Sequence, residues 1–325
     1  MPIKSGMTVQ LRDDQYISGD GAFGMDTVTT IGSFDPAPVI GMTLGSAVIL
    51  GELARGNMGV VFTAFQQSLK RRIAVKILPQ SMYTEESVRL FQQEAEAVAG
   101  LSHPGIVPIY EIGETPDFRW FTMQLIEGES LAARLSRMAR NVIPSRRVLP
   151  LPRALGLVRQ ILEALAYAHR QGVVHRDVKP ENILILNESL LPVLTDFGIA
   201  RMAASGGDAL RIPRGSPLYM APEQILSTAT DERVDVHAVG VLLFRLTVEQ
   251  LPLIPHRSAQ DILKAKAEGR SIFVQRPSEA NPRLNPDMDA LIALATAHDP
   301  ASRFRSCREF LAAIGAYERK FLRGS

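Results

Sequence analysis

Two short polar segments near the middle of the chain constrain its fold and chemistry more than any other feature. The first runs from Val173 to Asn182 and reads V-V-H-R-D-V-K-P-E-N; the second is Asp196-Phe197-Gly198, beginning 14 residues after Asn182. Each stands close to an apolar run that is typical of a strand. Together they place two carboxylates, a lysine and an amide on two loops, and such groups can hold magnesium and a nucleoside triphosphate.

These segments resemble the catalytic and metal-binding loops of protein kinases, where H-R-D, N and D-F-G occur in this order. The resemblance covers roughly residues 46 to 319. It implies a two-lobed α+β fold, with a small antiparallel β N-lobe that carries one main helix and a larger, mostly α C-lobe. The motifs are most similar to those of bacterial eukaryotic-like (Hanks-type) serine/threonine kinases.

Composition agrees with this interpretation and excludes some classes. The 325 residues are 46% apolar and 22% charged, which is ordinary for a soluble globular protein. The net charge of +2 gives no reason to expect a nucleic acid partner. No apolar run approaches the roughly 20 residues that span a bilayer, so we expect no membrane segment in this chain. The single cysteine, Cys307, excludes an internal disulfide and favours a reducing, cytoplasmic compartment.

The composition and hydrophobic pattern along the sequence predict four regions. Residues 1–45 are rich in Gly, Thr, Ser and Asp and are expected to form a flexible leader. Residues 46–126 would form the N-lobe, residues 127–320 the C-lobe, and residues 321–325 a tail.

Hydrophobic periodicity predicts the elements of both lobes. The expected strands of the N-lobe are Ala47–Leu53, Val60–Phe65, Ile73–Leu78 and two runs around Trp120, with a helix from Glu85 to Leu101 before those two runs. The expected helices of the C-lobe are Ala154–Gln171, Val234–Thr247, Asp287–Ala297 and Arg308–Arg319. The basic stretch Arg140–Pro152 is expected to be a loop.

A glycine-rich turn is expected to cover the phosphates. It reads A-x-G-x-x-G-x-V through Ala54, Gly56, Gly59 and Val61. Glycines allow backbone N–H groups to approach phosphate closely. Ala54 replaces the first glycine of the kinase pattern, and taken alone the turn fits an ordinary hairpin better.

Lys76 lies in an apolar strand, so its ammonium is expected on the interior side of the sheet, where it needs an anionic partner. The resemblance implies two partners, the ATP phosphates and Glu94, which is preferred over Glu96. A solvated strand lysine is the alternative.

The resemblance also implies an adenine site at a hinge formed by residues 122–128. Met123 would be the gatekeeper, and the backbone of Gln124 and Ile126 would pair with the adenine edge. The side chains expected to enclose the base, each of which also fits plain core packing, are Val61, Ala74 and Leu184.

Four residues receive chemical roles from the resemblance. Asp177 would be the catalytic base for the attacking hydroxyl, and Lys179 would neutralise charge on the transferring phosphoryl group. Asn182 and Asp196 would hold magnesium, with manganese as an alternative. A lysine at position 179 is typical of serine/threonine rather than tyrosine kinases. Either aspartate alone also fits a helix cap or a turn.

Other residues are expected to hold these loops in place. His175 would stack with Phe197, Val98 and Ile109, and Asp235 would hold the backbone of the catalytic loop.

The segment from Asp196 to Glu223 ends in A-P-E, which anchors the substrate-docking loop of protein kinases and favours a polypeptide substrate. Glu223 is expected to pair with Arg303 in a buried ion pair. Ser216 is expected to contact the catalytic aspartate and lysine.

Between Phe197 and Gly215 there is no threonine and a single serine, Ser205. We therefore expect this stretch to work without phosphorylation, with Asp208 as a permanent anion. In the leader, the cluster of Thr27, Thr29 and Thr30 fits either a polar tail or an autophosphorylation and docking site.

These features predict a serine/threonine protein kinase that transfers the γ-phosphate of ATP to protein hydroxyls and autophosphorylates. Kinases of the type that it resembles often pair through the N-lobe, so the resemblance also allows a homodimer. One alternative is a pseudokinase that acts as a nucleotide-binding scaffold, which is disfavoured because Lys76, Asp177 and Asp196 are all present. The other is a small-molecule kinase, which the A-P-E segment disfavours.

Overall fold

The computed structural model describes residues 37–56, 59–79, 95–197, 216–226, 230–255 and 258–321. The described residues divide into two compact units. The first unit comprises those within 37–79 and 109–125, and the second comprises those within 95–108 and 126–321. The division after Leu125 lies close to the expected lobe boundary at residue 126. Residues 95–108, which were expected in the N-lobe, belong to the second unit.

The first unit is an antiparallel sheet of six strands, of which five were predicted and β1 was not. The strands are β1 (Thr43–Leu44), β2 (Ala47–Gly56), β3 (Gly59–Gln66), β4 (Arg71–Pro79), β5 (Ile109–Glu114) and β6 (Phe118–Met123). Their order in the sheet is β1-β2-β3-β4-β6-β5. Alternate residues of β3 are buried, with Val60, Phe62 and Ala64 facing the core, which is the period of two that a half-buried strand requires.

The expected leader, residues 1–45, overlaps with ordered structure that begins at Ala37. A 3₁₀ turn, Ala37–Val39, precedes β1, and β1 pairs with β2. Val39 and Leu44 are both 3% exposed and belong to the core of this unit. Burial of these two apolar side chains favours an ordered segment over a flexible one, so a leader cannot extend beyond residue 36.

The second unit is mostly helical and carries a small sheet. Its helices are α1 (Leu131–Ala139), α2 (Leu151–Arg170), α3 (Pro222–Ile225), α4 (Arg233–Thr247), α5 (Ala259–Ala267), α6 (Pro277–Ala280), α7 (Pro286–Ala295) and α8 (Cys307–Phe321). Residues 95–99 are also helical. Strands β7 (Gly128–Ser130), β8 (Ile183–Leu186) and β9 (Pro192–Leu194) form an antiparallel sheet of three strands.

Four of these helices, α2, α4, α7 and α8, confirm the predicted segments to within a few residues. The expected loop between Arg140 and Pro152 is shorter than predicted, because it contains the 3₁₀ turn Pro144–Arg146 and ends where α2 begins at Leu151. Helices α1, α3, α5 and α6 were not predicted.

Helix α4 is the centre of the second unit. It is buried along almost its whole length and packs against α2, α7 and α8. Its apolar character on all sides is typical of a helix enclosed by others. Within the described part of the chain, no helix is long and apolar enough to cross a membrane.

Candidate active site

The β8–β9 hairpin brings the two polar segments together. Ile183 pairs with Leu194 in the antiparallel register, and just beyond this pair the Thr195 N–H donates to the Asn182 carbonyl at 3.0 Å. Because antiparallel strands place the start of one beside the end of the next, Asn182 and Asp196 lie at the same end of the hairpin. The sequence prediction that the two loops share one site is therefore supported by the backbone register.

Asp177 is held by the two residues predicted to act with it. Its Oδ2 accepts hydrogen bonds from Lys179 Nζ at 2.8 Å and from Asn182 Nδ2 at 3.0 Å. The same Nδ2 also donates to the Asp177 carbonyl at 2.9 Å. Pro180 begins a 3₁₀ turn, Pro180–Asn182, which folds Asn182 back toward Asp177. A proline suits that first position because its fixed φ already matches the turn.

His175 is fully buried and neutral, and it links the two loops. Its Nδ1 accepts from the Asp177 N–H at 3.3 Å, so its Nε2 carries the proton and donates to the Thr195 carbonyl at 3.0 Å. Burial lowers the pKa of His175, which agrees with this neutral tautomer. Its ring lies 4.4 Å from that of Phe197, as predicted. The extension of this stack to Val98 and Ile109 stays a prediction.

Asp235, in the first turn of α4, holds the catalytic loop by its backbone, and this confirms the predicted role. Its carboxylate accepts from the N–H groups of His175 at 2.9 Å and Arg176 at 2.8 Å, and from His169 Nε2 at 2.8 Å. Burial alone would raise the pKa of Asp235, but the hydrogen bonds from the His169 side chain and the His175 backbone N–H lower it. The carboxylate therefore stays charged inside the protein.

Two residues of the site have backbone conformations that side chains seldom adopt. Arg176 has φ +63° and Asp196 has φ +58°, both in the left-handed region. Such residues persist only where the surrounding structure holds them. The N–H of Arg176 is held by Asp235, and its carbonyl accepts from Gln224 Nε2 at 3.0 Å.

Gln224 is a functional contact that the sequence interpretation missed. Its Oε1 accepts from the Ala221 N–H at 2.9 Å while its Nε2 donates to Arg176, so it joins the A-P-E segment to the catalytic loop. The only sequence signal is its place directly after A-P-E, and its partner Arg176 lies 48 residues away.

The predicted ion pair behind the A-P-E segment is present. Arg303 donates from its two terminal nitrogens to the two carboxylate oxygens of Glu223, at 2.7 and 2.8 Å, and both residues are buried. Arg303 also donates to the carbonyls of Ala297, His298 and Arg233. This pairing confirms the predicted structural role.

The predicted contact of Ser216 with Asp177 and Lys179 stays a prediction. Among the described residues, no hydrogen bond joins its hydroxyl to Asp177 or Lys179, and Lys179 donates directly to Asp177 instead. The Ser216 carbonyl accepts from the Tyr219 N–H at 3.1 Å, so its backbone forms a turn.

The first unit brings together the predicted nucleotide residues that belong to it. In the sheet, Ala54 pairs with Val61, Val61 with Lys76, and Ala74 with Met123. Lys76 is only 8% exposed, so the alternative of a solvated strand lysine is wrong. Its expected partner Glu94 lies outside the described residues, and that pairing stays a prediction.

The glycine-rich turn closes the β2–β3 hairpin, where Gly56 pairs with Gly59. Gly59 has φ +150°, and a Cβ at this position would lie 2.3 Å from the Ile77 carbonyl oxygen. Only glycine fits there, because any side chain would overlap the β4 backbone. Residues 57 and 58 lie outside the described part of the chain.

The other residues that were predicted to contact adenine are divided between the two units. Gln124 is exposed and belongs to the first unit, whereas the half-buried Ile126 and Leu184 belong to the second. Their adenine contacts stay predictions. Gly198, Ser205 and Asp208 lie outside the described residues, as do Thr27, Thr29 and Thr30, so the expectations for them also stay predictions.

Comparison with known proteins agrees with this geometry. Residues 48–313 match the model of the protein kinase domain. The serine/threonine-protein kinase pkn3 of Myxococcus xanthus is 34% identical over 278 residues, which cover 82% of this chain and 49% of that protein. The serine/threonine-protein kinase PrkC of Bacillus subtilis is 32% identical over 274 residues, which cover 83% of this chain and 40% of that protein.

Solved structures give the same answer. The crystal structure of the Mycobacterium tuberculosis PknI kinase domain matches with a TM-score of 0.68 and 27% identity, covering 85% of this chain and 98% of that domain. The chain spans less than half the length of the two curated relatives above. Since the family model covers most of the sequence and the site residues stand in register, the chain belongs to the protein kinase domain family.

Proposed function

We propose that this chain is an ATP-dependent serine/threonine protein kinase that uses magnesium. The observation that carries the proposal is the arrangement around Asp177, whose carboxylate is held at 2.8 and 3.0 Å by Lys179 and Asn182. A carboxylate held in this way beside a lysine can take a proton from a hydroxyl while the lysine neutralises the phosphoryl group.

In the proposed reaction, the hydroxyl oxygen of a substrate serine or threonine attacks the γ-phosphorus of ATP. The bond from the γ-phosphorus to the β–γ bridging oxygen breaks, and ADP leaves with that oxygen. Asp177 accepts the hydroxyl proton, and Lys179 neutralises charge on the transferred group. His175, Asp235 and Gln224 do not touch the reacting atoms in this scheme; they position the loop that carries Asp177.

The residues present fit a magnesium site. Magnesium, when bound with ATP, neutralises the phosphates and fixes their orientation. Asn182 would contribute its side-chain oxygen, which accepts none of the hydrogen bonds of the described residues, and Asp196 would contribute a carboxylate. The described residues contain no group of three or more His, Cys, Asp or Glu that could hold a metal alone. That agrees with magnesium, which completes its coordination with phosphates and water. Manganese is the alternative.

For the nucleotide, we propose that Lys76 binds the α- and β-phosphates and pairs with Glu94. The glycine-rich turn through Ala54, Gly56 and Gly59 would cover the phosphates. The low exposure of Lys76 supports this role, because a buried ammonium needs an anionic partner.

A protein substrate is supported by the intact A-P-E segment and its buried Glu223–Arg303 pair. The names of the relatives, serine/threonine-protein kinases, support serine and threonine as acceptors. We infer a cytoplasmic location, supported by the buried free thiol of Cys307. Two further proposals, autophosphorylation and pairing as a homodimer, rest on the resemblance. The proposal that the chain has no nucleic acid partner rests on its composition.

The test is a transfer assay with labelled ATP, magnesium and a generic basic protein. The wild-type chain should label serine and threonine, and Asp177→Asn and Lys76→Met should each lower the rate at least about 100-fold. Labelling at the wild-type rate in Asp177→Asn would refute the assignment of the base. Nucleotide binding without any transfer by the wild-type chain would indicate a scaffold instead.

A further inference from the structure

Helix α5 carries a lysine that is almost completely buried. Lys266 is 4% exposed, and its Nζ donates to the carbonyls of Leu218 at 2.7 Å and Met220 at 2.6 Å. These acceptors lie 48 and 46 residues earlier in the chain, in the stretch that leads directly into A-P-E. We call residues 216–220 the docking segment. Lys266 therefore fixes the backbone of this segment from a separate helix.

The docking segment is attached to α5 by apolar contacts as well. Leu218 packs against a buried cluster that contains Ile262 and Ala265 of α5. Ser258 caps this helix by accepting from the Asp261 N–H at 3.1 Å. The capped helix and these apolar contacts therefore support the segment.

The other end of the docking segment is tied to the catalytic loop. Gln224 accepts from the Ala221 N–H and donates to the Arg176 carbonyl, next to Asp177. The segment is thus held at Leu218 and Met220 by Lys266 and just beyond residue 220 by Gln224. The distance from the docking segment to Asp177 therefore depends on both Lys266 and Gln224.

The surroundings of Lys266 are unfavourable for a cation. Among its charged neighbours, Arg303 opposes the ammonium and Glu223 favours it. The neutral ring of His237 of α4 also lies nearby, and His298 Nε2 donates to the Lys266 backbone carbonyl at 3.0 Å. Burial and, after it, Arg303 lower the pKa of Lys266 to about 7. An apolar side chain would avoid this cost. The ammonium is therefore best explained by the two carbonyls that it holds.

We propose that Lys266 is a positioning residue for the protein substrate, which holds the docking segment in the conformation that receives the acceptor chain beside Asp177. This inference deepens the proposed function and rests on it. It assigns to α5 a role in polypeptide recognition and none in the binding or cleavage of ATP.

The test compares Lys266→Met with Lys264→Met, which removes an exposed lysine from the same helix. The first change should raise KM for a serine-containing peptide about 10-fold, the equivalent of losing one well-made charge-assisted hydrogen bond. KM for ATP and the hydrolysis of ATP without peptide should stay within about 2-fold of wild type, since no ATP contact is altered. Lys264→Met should leave KM for the peptide, KM for ATP and the rate of ATP hydrolysis unchanged. Equal losses in peptide transfer and ATP hydrolysis would overturn the proposal.

Direct binding separates this inference from the proposed function. A fluorescent basic peptide should bind Lys266→Met about 10-fold more weakly than wild type, whether or not phosphate is transferred. A wild-type chain that binds peptide but transfers no phosphate would overturn the proposed function alone. Equal peptide affinity in wild type and Lys266→Met would overturn the role of Lys266 alone.

The wild-type chain offers a further readout if the variant does not fold. Above pH 7 the amine loses its charge and keeps two N–H groups, and charge-assisted hydrogen bonds are about twice as strong as neutral ones. Affinity for a peptide without histidine should therefore fall a few-fold between pH 6 and 8.5, as the Lys266 ammonium deprotonates. Affinity that is constant over this range, in a chain whose ATP affinity is also constant, would contradict the proposal.

Discussion

At the scale of single residues, Asn182 serves two purposes with the two ends of one amide. Its nitrogen donates to the carboxylate and the carbonyl of Asp177, at 3.0 and 2.9 Å. Its oxygen is left for the proposed magnesium ion. A side chain with only donors or only acceptors could not do both.

Two substitutions separate these purposes. Asn182→Asp keeps an oxygen ligand but cannot donate to Asp177, and it places a second carboxylate there. We expect kcat to fall about 100-fold, with the magnesium concentration for half-maximal rate unchanged or lower. Asn182→Ala removes both functions, so it should lower kcat and raise that concentration. Steady-state rates over a magnesium titration measure both effects, and identical titration curves for the two variants would contradict the proposed division.

At the scale of elements, the A-P-E segment is connected to the catalytic loop by Gln224. In Gln224→Glu the side chain can still accept from the Ala221 N–H but cannot donate to the Arg176 carbonyl. We expect kcat to fall about 10-fold, because an unpaired carbonyl costs roughly 1–3 kcal/mol and releases the loop. By the same cost, the midpoint of thermal unfolding should fall by roughly 2–10 °C. A normal kcat in this variant would show that the loop is held without Gln224.

Behind the same segment, the Glu223–Arg303 pair should carry stability rather than chemistry. Arg303→Met leaves the buried Glu223 carboxylate without its partner, which costs about 3–5 kcal/mol. A loss of this size corresponds to a lowering of the thermal midpoint by roughly 10 °C. The matched control is Arg305→Met, because Arg305 pairs with Glu309 but its side chain is 86% exposed. An exposed pair contributes about 0–1 kcal/mol, so similar midpoints for the two variants would contradict this prediction.

The elements that the sequence predicted are those whose pattern is complete within the element. Helix α4 is apolar on nearly every side, and β4 is a continuous apolar run around Lys76, so each is recognisable by itself. Helix α1 is only nine residues long and buries only Leu131 and Leu135, so it is shorter than the windows of 11–18 residues in which helical periodicity is read. In α5 a core position is occupied by Lys266, and a lysine there breaks the apolar pattern.

The site shows the same contrast. Asp177, Lys179 and Asn182 stand within six consecutive residues, and their mutual hydrogen bonds follow from one short loop. The distant partners of Gln224 and Lys266 lie 46 to 48 residues away, and no local pattern marks such pairs. Contacts between distant segments depend on the packing of α3 and α5, which the sequence pattern does not specify.

At the scale of the whole molecule, buried histidines make the fold sensitive to acid. His175 and His237 are both inside the second unit, and burial lowers the pKa of each, for His237 well below its usual value. In the described part of the chain, neither ring nitrogen of His237 has a hydrogen-bond partner, and its charged neighbours Lys266 and Arg303 also oppose a positive charge. Both rings are therefore neutral in the folded protein.

The sign of the resulting pH dependence follows from proton linkage. In the unfolded chain these histidines bind protons below about pH 6.5, whereas in the folded chain they remain neutral to a lower pH. The unfolded state thus binds more protons on these two residues, so the stability that they contribute is fully present above pH 6.5 and is lost as the pH falls below it. Each histidine contributes up to about 1.4 kcal/mol per pH unit. The thermal midpoint should fall clearly between pH 7 and 5.5, and His237→Leu should make this decline shallower; an equal decline in both proteins would show that His237 titrates normally in the folded state.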